Sequence, residues 1–316
     1  MGKITRDSFN VDIRNKVGAV LDSGSTYFPS TTANRYQYGY GTALTQSSAV
    51  GQQKIDDSEW DNIRLDLIKT RTHQKGVTWV SNNLGLQSDI PGGANNVFDV
   101  SAGEDITEAI YNKYKGVADD CVTDRFSVGT GQSEESTPSA LSAVEQGLTF
   151  SVQATWFFKV QFSSAAVANQ FFNSGGAYKI TLDATHGPAN LSGESRRQSE
   201  AMISAINALG TFTFGATQFY SVQSTTFKVL KEERVSGAYN ANEAQIRCRL
   251  DNAEAGSASS FDLGYRLTSD YQGAGSVYYG DSISLNLTAN ISRVRSINVV
   301  VGPTPLSETY NSWSSS

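Results

Sequence analysis

Asp22-Ser23-Gly24-Ser25 has the residue order of half an aspartic-protease site. That chemistry needs two carboxylates sharing one proton, and the sequence holds no second copy. The aspartate and glycine are read instead as the end of a helix. Gly280-Asp281-Ser282 sets a serine as in the nucleophile block of certain lipases and esterases. Those enzymes take their general base from a later histidine, whereas His73 and His186, the two histidines here, both lie upstream. Ser282 also opens an alternating stretch, which favours a hairpin. Gly129-Thr130-Gly131 is too short to cradle a phosphate and lacks the P-loop lysine. The pairs Asp56-Asp57, Asp119-Asp120 and Glu134-Glu135 fall at a helix start, on a helix flank and in a connection, where capping and solvation account for them. A glycosidase would need two carboxylates facing across a cleft, which sequence alone does not test. Cys121 and Cys248 are too few and too far apart for a disulfide framework or a zinc motif, and are expected to be buried thiols. The expectation is a protein with no catalytic residue, no metal and no cofactor, hence not an enzyme.

The elements that would position any site are mostly strands. From Leu148 to Phe162 every second side chain is apolar: Leu148, Phe150, Val152, Ala154, Trp156, Phe158, Val160 and Phe162. A period of two predicts a strand with one buried and one wet face. At roughly 3.3 Å per residue it would span about 50 Å, so a bend or bulge within it is expected. Further strands are predicted at 177–182, 211–214, 226–230, 244–250, 261–267 and 282–291, with helices over 163–176 and 194–209. One-sided strands in succession point to antiparallel sheets packed as a sandwich.

Ahead of them lies a smaller helical unit. Thr5 suits an N-cap before Phe9, Ile13, Val17, Val20 and Leu21, with Ile4 and Phe9 as a hydrophobic staple. Asp56 and Glu59 form a second capping box, Ile55 staples onto Trp60, and Trp60, Ile63 and Leu67 give the buried face. Basic residues in the last turn, before Gly76, complement the helix dipole. Between the two helices runs a long loop, 24–54, centred on Tyr36, Tyr38 and Tyr40. Loops of this length are usually functional or held by a partner. The tyrosines read either as an interface strip or as a hairpin packed on its own helices. A third helix is expected to bury Ile106, Ile110, Tyr114, Val117 and Cys121. The predicted division is a helical unit over 1–76, a linker with one helix over 77–144, an antiparallel β-sandwich with inserted helices over 145–302, and an extended C-terminal arm over 303–316. The fold class is mainly β with α insertions.

Charged residues make up 18% of the chain, below the roughly 25% of an average soluble protein. A net charge of −6 argues against binding nucleic acid or an anionic membrane. No apolar run approaches the roughly 20 residues of a spanning helix, and no signal peptide is recognisable, so synthesis in the cytoplasm without export is expected.

Two blocks carry a resemblance. Glu59-Trp60-Asp61-Asn62-Ile63-Arg64-Leu65-Asp66 followed by Thr72-His73-Gln74, with Tyr38-Gly39-Tyr40-Gly41 and Ser47-Ser48-Ala49-Val50-Gly51 before it and Phe9-Asn10 at the start, is one. Phe171-Phe172-Asn173-Ser174-Gly175-Gly176, set between two strands, is the other. Both resemble blocks in virion structural proteins of contractile-tailed, T-even-like phages of marine cyanobacteria and other marine bacteria. The likeness covers roughly residues 4–76 and 145–215. Ala177-Tyr178 departs from the "EI" that usually follows the second block. The resemblance implies a structural subunit associated with tail, baseplate or neck, a fibre anchor among its roles, assembled in the host cytoplasm and located in the virion. Its partners would be other virion proteins and copies of itself. The alternative is a tail adhesin for a host receptor or surface glycan, stacking sugars on tyrosine-rich loops such as 35–41 and Tyr278-Tyr279; a tail-associated hydrolase is a third reading that lacks a convergent site. Interface candidates are Tyr36, Tyr38, Tyr40, Phe171, Phe172 and Trp313. One of the adjacent Phe171 and Phe172 is expected to point away from the core, over a sheet edge or towards a neighbouring subunit. The arm, if ordered, is expected to lie on a neighbour.

Overall fold

The computed structural model describes residues 5–22, 38–46, 55–84, 106–129, 141–187, 189, 191–235, 242–269, 282–295, 300 and 303–315. The fold is mainly β, with two antiparallel sheets packed together and a helical N-terminal part. Two compact units divide the chain. The first comprises Met1–Glu135, Asn169–Gly176 and Arg295–Thr304, and the second Ser136–Ala168, Ala177–Val294 and Pro305–Ser316.

The helical unit begins with α1 (Arg6–Phe9), a π turn (Asn10–Arg14) and α2 (Asn15–Leu21). Thr5 is the N-cap, its side chain accepting from the Ser8 amide. Phe9, Ile13 and Val17 recur every fourth residue, a spacing that drifts about 40° per step in an α-helix. The wider π turn absorbs part of that drift and keeps all three fully buried. The next helix, α3 (Asp57–Lys75), opens on Asp56, whose carboxylate takes the Glu59 amide while Glu59 reaches back to the Asp56 amide, the predicted capping box. It ends at Gly76, at φ +86°. Trp60 meets Phe9 edge-on at 4.7 Å and Tyr114 edge-on at 4.9 Å between ring centres, and Ile55 packs against the same cluster. The segment read as a linker supplies α4 (Val77–Leu84) and α5 (Glu108–Thr123), whose Val80, Leu84, Tyr114 and Cys121 join this core. Helix α5 buries Tyr111, Tyr114, Ala118 and Cys121, so the expected face is rotated, and Ile106, Ile110 and Val117 are only partly covered. The physical reason is polar: Tyr111 turns inward because its hydroxyl donates to Asp12 at 2.6 Å.

In the sandwich unit, β1 (Leu141–Phe150) and β2 (Gln153–Gln161) divide the long alternating stretch between the two sheets. The anticipated bend is therefore a sandwich corner, and Val152 at the turn is the one apolar position left open, at 40% exposure. Helix α6 (Ala165–Asn173) leads to β3 (Ala177–His186), α7 (Gly193–Leu209), β4 (Phe212–Phe214) and α8 (Ala216–Val222). Then come β5 (Lys228–Arg234), β6 (Glu243–Leu250), β7 (Ser260–Thr268) and β8 (Ile283–Val294), and finally β9 (Ser307–Tyr310) and β10 (Ser314–Ser315). One sheet runs β1-β8-β3-β4; the other runs β10-β2-β7-β6-β5, with β9 also on β2. Trp156, Phe158, Tyr178, Phe214, Phe219 and Phe261 fill the space between them. Helix α7 packs on β3 and β8 of one sheet and on β5 and β6 of the other, burying Met202, Ile206 and Leu209. Its last carbonyls receive the Lys231 ammonium, 2.8 Å from Leu209 O. The β5 face differs from expectation, since a register shift between Val229 and Lys231 leaves Val229 38% exposed.

Candidate interaction sites

The polar residues of the helical unit converge in its interior. The last turn of α3, read from sequence as a basic end complementing the helix dipole, buries Arg71, His73 and Gln74. Gln74 Nε2 donates to Cys121 O at 2.8 Å and to the Tyr40 hydroxyl at 3.1 Å, and that hydroxyl donates to Arg125 O at 2.6 Å. Arg71 Nη1 bonds Gln74 Oε1 at 2.8 Å and Asp124 Oδ2 at 2.9 Å, while its guanidinium stacks over Trp79 at 4.6 Å. Burial works against the Asp124 charge, but the Arg71 and Lys75 bonds outweigh it and hold the carboxyl below its ordinary value. His73 lies 4.6 Å from the Tyr40 ring and is kept neutral, burial pushing its pKa down to about 4 against a weaker pull from a Ser174 backbone bond. Upstream on α3, Asp66 accepts the Thr45 and Gln46 amides and pins the chain that follows Tyr40.

The segment Asn169–Gly176 belongs to the same unit. Asn173 Nδ2 and Arg125 Nη2 both donate to Tyr38 O. Gly176 N donates to Phe171 O at 2.8 Å and Gly175 N to Phe172 O at 3.1 Å, the paired bonds of a Schellman motif with Gly175 at φ +87°. A Cβ on Gly175 would collide with Val128, and one on Gly176 with the Phe171 carbonyl and ring. Phe171 and Phe172 are both fully buried, edge to face at 5.1 Å, so neither reaches out to a neighbour as expected. The helix end is enclosed rather than laid on a surface, which gives both adjacent rings an interior face. Tyr40 is buried as well, Tyr38 half-buried, and Tyr36 lies outside the described residues. Tyr278-Tyr279, the other aromatic loop of the adhesin reading, also lies outside them.

Nothing in the described chain gathers reacting groups. Both thiols are buried and free, Cys121 pushed up to about 12 and Cys248 well above its ordinary value, each chiefly by burial. Asp56 is a cap, Asp119 pairs with Lys16, and Asp120 lies 3.9 Å from Arg71. Among the described residues no group of three or more His, Cys, Asp or Glu could hold a metal. A shallow hollow of about 290 Å³ brings His186 near Ser199 and Ser284. His186 faces Glu200 at 4.0 Å, but Ser199 Oγ donates to Ser195 O and accepts from Ser284 N, and Ser284 Oγ accepts from Ala189 N. Those hydroxyls tie α7 to β8 and are not poised for attack. A second hollow, of about 270 Å³, is lined by Lys159, Arg249, Asp251 and Asp262. Arg249 binds Asp262 at 2.7 Å and the Asp251 carboxylate accepts from Ser259 Oγ at 2.7 Å, so these three side chains already have partners. The remaining expected site residue, Trp313, is 7% exposed and stacks on Trp156 at 6.1 Å and 24°.

The arm thus lies on its own sheet. Ser307–Tyr310 pairs with Phe158–Gln161 and Ser314–Ser315 with Ala154–Thr155, closing the open edge of β2. Glu308 anchors it, accepting from the Tyr178 hydroxyl at 2.5 Å and from Arg293 Nη1 at 3.2 Å. Burial first and then this carboxylate push the Tyr178 phenol well up. Sequence reasoning missed Glu308, Arg293 and the Arg71–Gln74 hub; His73 and Gln74 stood out only through the block they belong to. No helix among the described residues is long and apolar enough to cross a membrane. No family model, curated protein or solved structure matches this chain.

Proposed function

We propose that this chain is a non-enzymatic structural subunit of a bacteriophage particle, associated with tail, baseplate or neck and in contact with copies of itself and with other virion proteins. The observation that carries the reading is where the two resembling blocks go. Trp60, Asp66, His73 and Gln74 from the first, and Phe171 to Gly176 from the second, lie in one unit and are engaged in holding it together. Residues arranged in that way serve a shape, and a part in a particle is selected for shape. The Arg249–Asp262 pair in one hollow, the engaged serine hydroxyls in the other and the buried thiols add support. The test is quantitative peptide mass spectrometry on gradient-purified particles, together with a screen of the purified protein against peptidoglycan, surface polysaccharide and ester substrates. Fixed stoichiometric copies per particle and no turnover are expected. Absence from particles, or saturable turnover lost on changing one carboxylate, overturns the proposal.

A further inference from the structure

The two edges of the six-stranded sheet are closed in different ways. The β5 edge protects itself, with Lys228, Lys231, Glu232, Glu233 and Arg234 along seven residues and a register break after Val229. Charges and bulges of this kind stop a second strand from adding. The β2 edge has neither device. Gln153–Gln161 carries one charge, Lys159, and on the side away from β7 its backbone pairs, among the described residues, with the arm alone.

That cover is short and interrupted. Four residues of β9 and two of β10 pair with β2, whereas β2 and β7 pair over nine residues, Gln153 to Gln161. Beyond the edge strand the arm is held by side-chain bonds of Glu308 to Tyr178 and Arg293 and not by pairing with a further strand, so it can leave without unzipping the sheet, and terminal segments of this kind open at a small fraction of the global unfolding free energy. What it leaves behind is a shaped receptor: the Trp156 face that stacks Trp313, the Tyr178 hydroxyl and Arg293 guanidinium that hold Glu308, and the Thr155 hydroxyl 2.7 Å from Ser314 Oγ. The receptor is complementary to a strand with a carboxylate at one end and an indole five residues later. A second copy of this chain carries that strand. The docked arm also holds the two most exposed large apolar side chains described in the sandwich unit, Leu306 at 70% and Tyr310 at 48%, which lie where another chain would approach.

We propose that this strand is exchanged between copies, the β2 edge of one chain taking the Leu306–Ser315 segment of another, by strand addition. The proposal rests on the assembly reading above and names its partner, a second copy, and its contact. Since Thr155 and Ser314 are directly paired, cysteines placed there fall within disulfide reach. The experiment uses full-length T155C and S314C as separate proteins, each oxidised alone to set the background, then mixed one to one before mild oxidation. The buried native thiols stay out of the reaction. Exchange predicts a covalent dimer well above background in the mixture only, rising with protein concentration and falling several-fold when Trp313→Ala is added to the S314C chain. The double variant T155C/S314C shows that the site can form the bond. If the double variant locks as a monomer while the mixture gives no dimer above background, exchange is wrong, even where sedimentation shows that the chain self-associates and the assembly reading stands. A mixed disulfide from a chain absent from particles would keep the exchange and remove the proposed function.

Discussion

The helical unit and the sandwich are both built on large buried aromatics, yet they handle polar groups in opposite ways. The helical unit draws Asp66, Arg71, His73 and Gln74 inside and joins segments distant in sequence through them. The sandwich fills its centre chiefly with rings and aliphatic side chains and places most of its charges towards the outer faces or edges, as in β6, where Ala244, Ile246, Cys248 and Leu250 are buried and Glu243, Arg247 and Arg249 are only partly covered. An interior of directional bonds accepts one arrangement and is costly to disturb, because a buried partner left unpaired loses more than the bond contributed. An apolar core with an open edge tolerates a change of strand at that edge. Under the proposed exchange, the helical unit stays invariant and the sandwich edge is where copies join.

The strongest way to break this comparison is Gly175→Val. It forces a β-branched residue to φ +87° and drives a side chain into Val128, with a combined cost of about 4 kcal/mol. The helical unit should lose its cooperative unfolding transition while the sandwich keeps its own, as read by differential scanning calorimetry. Trp60→Ala comes next, at about 3–5 kcal/mol for a fully enclosed ring in contact with Phe9 and Tyr114. A loss below about 1 kcal/mol in denaturant titration would mean that the ring is not central to that core.

Acid should separate the two units without mutation. His73 binds its proton only near pH 4 when folded and near 6.5 when unfolded, so the unfolded state takes up the proton first as the pH falls. Stability of the helical unit is therefore complete above about pH 6.5 and declines as pH drops towards 4, by up to about 3 kcal/mol. Unfolding free energies measured across that range should fall for the wild type and flatten for His73→Gln; equal slopes in the two proteins would remove His73 as the cause. The smallest expected effect is that of Trp313→Ala. Losing the Trp156 stack should leave the main sandwich transition within about 1 kcal/mol, because the arm opens locally. Limited proteolysis should nevertheless cut near Leu306 several-fold faster than in the wild type, and unchanged cleavage would show that the ring does not hold the arm.

What the sequence revealed follows the same division. The alternation in 244–250, 261–267 and 282–291 names the buried side of β6, β7 and β8, because a strand's faces depend only on parity. Caps at Thr5 and Asp56 were equally plain, since capping is a local bond. Parity did not show that Leu148 to Phe162 changes sheets at Val152, because both sheets face the same core and the alternation passes through the corner unbroken. Nor did helical spacing show that Arg71, His73 and Gln74 turn inward, since their partners at Asp124, Tyr40, Cys121 and Ser174 lie tens of residues away. The arm's place was hidden for the same reason, the Tyr178 hydroxyl that donates to Glu308 lying 130 residues away.

Electron cryomicroscopy of intact particles tests the central claim most directly. The account predicts density for this fold in several symmetry-related copies, with the helical unit unchanged and the β2 edge occupied by an arm from an adjacent copy. Particles whose density lacks this fold, or contains it as isolated copies with no neighbour at either unit, would contradict the account.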